Sequence, residues 1–344
     1  MTCARPLASF AEKRIEKTQT RRREATPPVP VIVIGNLLVG GSGKTPMTIA
    51  VAKALSERGF KVGVIASGYG SPAYDLTDQA VLVTSKSRAK SLGDEPVLIA
   101  KSTQLPVAVS GHRLSALRTL LKERPEIDLI VSDDGLQHSA LPRTVECCMI
   151  DSRGFGNGEV LPAGPLREPI SALARVDSLI LNSLEDTPEL AAAIALAARP
   201  GEPLLDTILK KPKFSIYFSE IRFLPIAQWQ NRESSKENFR AITAKELTGI
   251  AAGRGIAALA GTAQPLAFFG ALRQLGLVFS SYPLSDHSPL DKNTLKQIAE
   301  PFVIMTEKDA VKWPNSGAQS PWVAVRDTQL DPRLIDWLIK KIKS

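Results

Sequence analysis

Cysteine, histidine and aromatic side chains are scarce in this 344-residue chain. Its three cysteines, Cys3, Cys147 and Cys148, show no metal-ligand spacing, which argues against a zinc module or a disulfide framework. The adjacent pair lies in an apolar strand-like run and reads as buried free thiols in a reducing cytosol. Aromatics are 6% of the residues and are not interleaved with basic ones, so nucleic acid is not the expected partner. No run approaches the ~20 apolar residues that a membrane-spanning helix needs. No apolar core follows the early charges, as a secretory signal would require. Repeats and low-complexity segments are missing too.

What the chain has in excess is positive charge: a formal +8 and a pI near 9.4, which favours an anionic partner. Much of it lies in a leader, residues 1–27, where Lys13, Arg14, Lys17, Arg21, Arg22 and Arg23 are diluted by Glu12, Glu16 and Glu24. Such a segment can rest on an anionic membrane surface at about 1 kcal/mol per basic residue. The alternative is a solvated terminus, since Leu7, Phe10 and Ile15 form only a thin apolar stripe.

The run from Val31 to Thr45 is the most informative stretch. A β-branched strand breaks into a glycine-rich loop (Gly40, Gly41, Ser42, Gly43) and ends in Lys44-Thr45 at the start of a helical pattern. This is the strand–loop–helix of a phosphate-binding P-loop. Backbone N–H groups and a helix N-terminus cradle polyphosphate, Lys44 neutralises it, and the Thr45 hydroxyl reaches Mg²⁺. Leu38 stands where the strict pattern wants glycine, so the loop resembles the G-G-x-G-K-T variant; a glycine-rich turn without nucleotide is the alternative.

Beyond it, strand-like runs near 31–35, 61–66, 80–84, 106–109, 128–132, 145–150 and 177–182 alternate with helical patterns near 44–58, 94–101, 111–123 and 187–198. The expected fold is α/β: a P-loop NTPase-like, mostly parallel sheet with helices on both faces, over residues 28–204. Residues 205–248 read as an irregular connector with a strand-like run at 214–218. Residues 249–344 read as a smaller C-terminal α/β domain that closes over the site. It has strands near 256–260, 277–282, 302–305 and 321–325 and helices over 265–275 and 332–342.

Two acidic clusters flank the loop. The strand at 129–132 runs into Asp133-Asp134-Gly135, where a carboxylate beside a P-loop holds Mg²⁺ directly or through water. Asp94-Glu95 follows Gly93 at a helix start, a position that the helix dipole also favours without any function. Leu161 to Pro169 is a rigid loop presenting Arg167 and Glu168, either for phosphate and metal or as a connector. Of the three histidines, His287 follows Asp286 in a loop of the second domain; a polar histidine there can tune or relay a proton, though spacing alone is weak support for it.

Taken in order, these motifs resemble the tetraacyldisaccharide 4′-kinases of Gram-negative bacteria. The resemblance rests on Val-Gly-Gly-Ser-Gly-Lys-Thr-Pro (39–46), Gly-Tyr-Gly (68–70), Gly-Asp-Glu-Pro (93–96) and Asp-Asp-Gly-Leu-Gln-His (133–138). It continues through Gly-Phe-Gly-Asn-Gly (154–158), Leu-Pro-Ala-Gly-Pro-Leu-Arg-Glu-Pro (161–169), Asp-His (286–287) and Thr-Glu-Lys-Asp-Ala-Val-Lys (306–312). It implies ATP and Mg²⁺ as cofactors and transfer of the γ-phosphate to the 4′-hydroxyl of an acylated glucosamine disaccharide 1-phosphate glycolipid. A peripheral place on the cytoplasmic face of the bacterial inner membrane goes with it. Carried over by motif, Lys44 binds the β/γ-phosphates, and Thr45, Asp133, Asp134 and Glu168 shape the metal and nucleotide site with Gln137 beside them. Asp94, paired with His287 across the cleft, takes the hydroxyl proton. Arg113 and Arg167 meet phosphates, and Tyr69 sits near nucleotide or acceptor.

Three departures from the resemblance stand out. The leader is short and polar where the family has a more hydrophobic segment, Ser67 replaces the Arg before Gly-Tyr-Gly, and Ala260-Gly-Thr-Ala263 replaces Ala-Gly-Ile-Gly. The rival readings are a P-loop GTPase or metallochaperone-type switch, which lacks its guanine-reading Asn-Lys-x-Asp here, and a small-molecule kinase.

Overall fold

The computed structural model describes residues 26–76, 78–84, 86–182, 204–231, 240–290, 296–313 and 321–344, with single positions 188, 192 and 194. Nearly all of the basic leader and most of the helix expected at 187–198 lie outside the described residues.

Nine strands form the first sheet: β1 Val31–Asn36, β2 Val62–Ala66, β3 Val81–Leu82, β4 Val107–Val109, β5 Leu129–Asp133, β6 Val145–Ile150, β7 Ser178–Asn182, β8 Lys213–Phe218 and β14 Thr328–Leu330. Their order is β14-β8-β7-β6-β1-β5-β2-β4-β3, parallel except for β3 and β14 at the two edges. Every residue of β1, β5 and β6 is buried, as expected of parallel strands covered on both faces, and their β-branched runs suit that environment. One face carries α1 (Lys44–Glu57) through Met47, Val51, Ala52 and Leu55 and α2 (Asp94–Thr103) through Val97 and Ile99. The other carries α3 (Arg113–Glu123) through Ala116, Leu117 and Leu120. The α/β architecture with helices on both faces is as the sequence implied.

Register positions the site. Ile34 of β1 pairs with Asp133 of β5, so the glycine loop and the acidic turn leave the sheet side by side. They do so at its carboxyl edge, beside the point where the chain reverses direction across the sheet.

The second sheet runs β11 (Ser280–Pro283), β10 (Ile256–Ala260), β12 (Phe302–Thr306), β13 (Trp322–Val325) and β9 (Arg222–Pro225), with only β9 antiparallel. It carries α4 (Ala244–Ala251), α5 (Pro265–Gln274) and the short α6 (Glu307–Ala310). The sequence reading passed over β9 and α4, although the Thr243/Glu246 capping box that starts α4 was a legible signal.

Sheet membership also differs from the expected division of the chain. β9, from the connector, joins the second sheet. β14 and the last helix, α7 (Pro332–Lys343), return to the first, where Leu334, Ile335 and Leu338 are buried and Trp337 meets Phe214 at 5.3 Å. An amphipathic stripe states that a helix packs on something, not on which sheet. Cys147 and Cys148 are free and buried, and burial pushes both thiols up to about 12.

Candidate active site

The glycine loop owes its shape to two residues in the left-handed region, Gly40 (φ 91°) and Gly43 (φ 87°). A Cβ on Gly43 would lie 2.8 Å from Asn182 Nδ2. Leu38, at the place where the strict motif wants glycine, is buried and forms a β-bridge with Leu166. Together with Arg167 N donating to Leu37 O (2.6 Å), that bridge fastens the 161–169 loop beside the phosphate loop.

The four carbonyls from Val39 to Ser42 all accept from side chains. Arg153, itself ion-paired with Asp151, donates to Val39 O (3.2 Å) and Gly41 O (3.1 Å). Lys44 Nζ reaches Gly40 O (3.5 Å), Asn182 Nδ2 reaches Ser42 O (2.8 Å) and Gln264 Nε2 reaches Gly41 O (2.6 Å). Holding the carbonyls fixes the peptide planes of the loop, whose N–H groups are the anion-binding atoms. The sequence reading missed Arg153, Asn182 and Gln264, because each is distant in sequence from the loop it holds.

Lys44 Nζ lies 3.2 Å from Asn36 Oδ1 and 3.7 Å from Asp134 Oδ2. Asp133 and Asp134, adjacent in sequence, do different work. Asp133 accepts from Thr45 Oγ1 (3.2 Å) and from Thr48 Oγ1 (2.7 Å). Burial, with repulsion from Glu95 and Asp134, pushes its carboxyl up to about 6 against the pull of Thr48 and Lys44. Asp134, at φ 49°, turns instead to Arg167, which donates to both its oxygens at 2.9 and 2.8 Å. Burial alone would raise Asp134, but Lys44 and Arg167 hold it below the usual carboxylate value. Gln137 accepts from Arg167 (3.4 Å) and donates to Asn36 O (3.2 Å).

Of the remaining expected residues, Glu168 is placed elsewhere and Arg113 borders the cavity. Glu168 is 2% exposed and bound to Arg175 at 2.5 Å, in a buried network with Glu146 and Arg143, so it does not face the cation corner. Arg113 is buried but borders the cavity; it donates to Asp133 O (2.8 Å) and Ser110 O (3.0 Å), bracing the end of β5. The chain bends at Arg167 and Glu168, and the two side chains take different partners, Asp134 and Arg175.

Across the cavity, Asp94 begins α2 behind Gly93 (φ 90°), whose Cα side is so close to Gly68 that a Cβ would lie 2.8 Å from the Gly68 Cα. That glycine–glycine approach seats Tyr69 and Asp94 together. His287 (φ 63°), from the second sheet, places Nδ1 3.0 Å from Asp94 Oδ1, and Tyr69 lies edge-on to its ring at 5.7 Å. Lys308, also missed, sits among Asp286 (2.9 Å), Glu95 (3.1 Å) and Asp94 (3.9 Å). Burial pushes Asp94 up, but the His287 hydrogen bond and the charges of Lys308, His287 and Lys312 outweigh it, leaving Asp94 below its ordinary value. The bond to Asp94 is the largest influence on His287 and raises it, against burial and Lys308.

A single cavity of about 1720 Å³ touches Lys44, Thr45, Asp134, Arg167, His287 and Lys308. The donor set suits Mg²⁺. The Thr45 hydroxyl and a buried, electrostatically crowded Asp133 carboxylate are hard oxygen ligands short of positive charge. No group of three or more His, Cys, Asp or Glu side chains that could hold a metal ion occurs among the described residues.

A cradle for polyphosphate and a carboxylate–imidazole pair at one cavity have the chemistry for moving a phosphoryl group onto a hydroxyl; the class so defined is the P-loop kinases. Comparison with known proteins narrows it. The chain belongs to the tetraacyldisaccharide-1-P 4′-kinase family, whose match spans residues 6–343. The tetraacyldisaccharide 4′-kinase of Dechloromonas aromatica is 36% identical over 318 residues, 92% of this chain and 85% of that one. That of Herminiimonas arsenicoxydans is 39% identical over 322 residues, with 92% and 83% covered. Among solved structures, LpxK from Aquifex aeolicus in complex with ATP shares the fold at a TM-score of 0.70, with 23% identity over 98% of each chain. The protein is therefore a kinase with an alcohol acceptor, of the lipid A 4′-kinase type. The switch-protein and small-molecule readings are not favoured.

Proposed function

We propose that the acceptor is the 4′-hydroxyl of a tetraacyl glucosamine disaccharide 1-phosphate, taken from the cytoplasmic face of the inner membrane. The observation that carries this reading is the meeting of Asp94 and His287 from two sheets, with His287 bordering the cavity that the phosphate loop lines.

Lys44 and the amides of Gly40 to Lys44 hold the β- and γ-phosphates, while Thr45 and Asp133 supply the protein oxygens for Mg²⁺. When bound there, the ion neutralises and orients the phosphate oxygens. Arg167, held by Asp134 beside Lys44, meets charge on the transferred group, and Arg113 stiffens the acidic turn beneath it. His287 is the member of the pair that borders the cavity; Asp94 is only 4% exposed and lies behind it. The hydroxyl proton passes to the pair as a unit, and the Asp94 carboxylate balances the charge on the imidazole. Tyr69, 60% exposed at the rim next to His287, offers the sugar an aromatic edge. Because the pair is assembled from two sheets, transfer requires them to be seated together, which limits loss of ATP to water.

No described helix is long and apolar enough to cross a membrane. The chain meets the glycolipid peripherally, with the basic leader drawn to anionic headgroups. ATP-dependent phosphorylation of the tetraacyl acceptor in detergent micelles, wild type against Asp94→Ala, tests the reading. Phosphate appearing on a nucleoside panel and not on the glycolipid would refute it.

A further inference from the structure

Of the side chains that hold the carbonyls of the phosphate loop, Asn182 ends β7, Lys44 begins α1 and Arg153 lies in the turn after β6, all parts of the body built on the first sheet. Gln264 comes from the second. Its Nε2 donates to Gly41 O at 2.6 Å, and the Ala263 methyl lies 3.6 Å from where a Cβ on Gly41 would stand. This contact joins residues 223 positions apart in the chain.

The segment bearing Gln264 is anchored at Gly261. Gly261 N donates to the fully buried Asp309 at 3.0 Å, and Asp309 also accepts from Thr306 Oγ1 (2.7 Å) and pairs with Lys312 (2.8 Å). A Cβ on Gly261 would lie 2.8 Å from Asp309 Oδ1, so the close approach requires glycine there. Asp309 closes the cap of α6, the helix that carries Lys308 to Asp94 and Glu95. Leu284 N donates to Ala260 O (2.9 Å), fastening the strand end that leads into Asp286 and His287. Gln264, Lys308 and His287 are thus three prongs of one carboxyl edge of the second sheet. The first rests on the phosphate loop and the other two on Asp94.

We infer that Gln264 is a positioning residue that seats the second sheet on the phosphate loop, so that His287 meets Asp94 in register with the terminal phosphate. The inference rests on the proposed reading that the Asp94–His287 pair takes the proton. A neutral amide suits the task, because it donates to a carbonyl without adding charge next to the triphosphate. Gln264 shares Gly41 O with Arg153, so the loop keeps its shape without Gln264 and loses only the tie to the second sheet.

The test uses the full chain in detergent micelles with ATP and the tetraacyl acceptor, comparing wild type, Gln264→Ala and Gln264→Glu. The glutamate has the same reach but no N–H to donate. A lost neutral hydrogen bond corresponds to roughly a two- to tenfold effect. That loss is expected in kcat, with KM for ATP moving less than about twofold, and Gln264→Glu is expected to lose at least as much as Gln264→Ala. Hydrogen exchange of amides 284–290 in acceptor-free enzyme reads the seating without any acceptor. Exchange there rises in both variants, while β1 stays unchanged. Wild type inactive on the glycolipid would overturn the acceptor reading, and the exchange result would still decide the role of Gln264. Full kcat in Gln264→Glu, a loss confined to KM for ATP, or unaltered exchange at 284–290 would overturn the inference.

Discussion

The Asp94–His287 pair makes a pH prediction whose sign the structure fixes. Asp94 stays a carboxylate across the neutral range because His287, Lys308 and Lys312 outweigh its burial. His287 is raised above 6.5, chiefly by its 3.0 Å bond to Asp94. Only the neutral imidazole can take a proton, so kcat/KM climbs about tenfold per unit of rising pH below the His287 value and flattens above it. Asp94→Asn removes the main influence raising His287, so the limb moves toward acid. Lys308→Met removes a positive charge that lowers His287, so the limb moves toward alkali. Two variants on opposite sides of one imidazole thus shift the profile in opposite directions. The rate itself drops in Asp94→Asn. A hydrogen bond to a charged group is worth roughly 1.5–3 kcal/mol, which corresponds to about 10- to 150-fold in kcat. Initial rates of lipid phosphorylation between pH 5 and 9, at saturating ATP and about tenfold excess Mg²⁺, read both quantities. A limb that stays in place in both variants, or moves the same way in both, would refute the argument.

Other expectations follow from the phosphate side. Gly43→Ala places a Cβ 2.8 Å from Asn182 Nδ2 at a φ of 87°, so the denaturant midpoint should report at least about 1–2 kcal/mol lost, with a fall in ATP binding. Lys44→Met strips a cation hydrogen-bonded to Asn36 and should cost kcat/KM roughly 10- to 150-fold, read by steady-state kinetics. Asp133, pushed up to about 6, gains its proton as pH falls through that value, so the apparent Mg²⁺ affinity weakens below it; Asp133→Asn loses that dependence in a Mg²⁺ titration. Since the unfolded carboxyl titrates near 3.8, the same group strains the fold above 6 and less so as pH drops toward 4, which chemical denaturation at several pH values would read. Gly93→Ala drives a methyl onto Gly68, displacing Asp94, and should lower both the melting temperature and kcat.

The glycine loop, the acidic turn and the α/β alternation were legible because each is local: a β-branched strand, a left-handed glycine and a helix start lie within a few residues of one another. Glu168 and Arg113 show where local reading ends. Glu168 stands in a suggestive motif yet is committed to Arg175, whereas Arg113, which lies in none of the quoted motifs, borders the cavity and donates to backbone carbonyls. Lys308 lay in a motif noted for another reason, and its neighbours Asp94 and Glu95 are more than 200 positions away. The destination of α7 was equally hidden, since its apolar stripe fits either sheet.

By itself, the sequence determined the phosphate cradle, the parallel sheet that presents it and the family, since these are fixed by backbone geometry and short-range order. The tertiary structure alone decided that Asp133 accepts from Thr45, that Asp134 is committed to Arg167, and how Gln264, Lys308 and His287 reach the first sheet. The physical reason is that hydrogen bonds and ion pairs depend on distance in space. A chain that crosses between two sheets brings together groups that its own order keeps 193 to 223 residues apart.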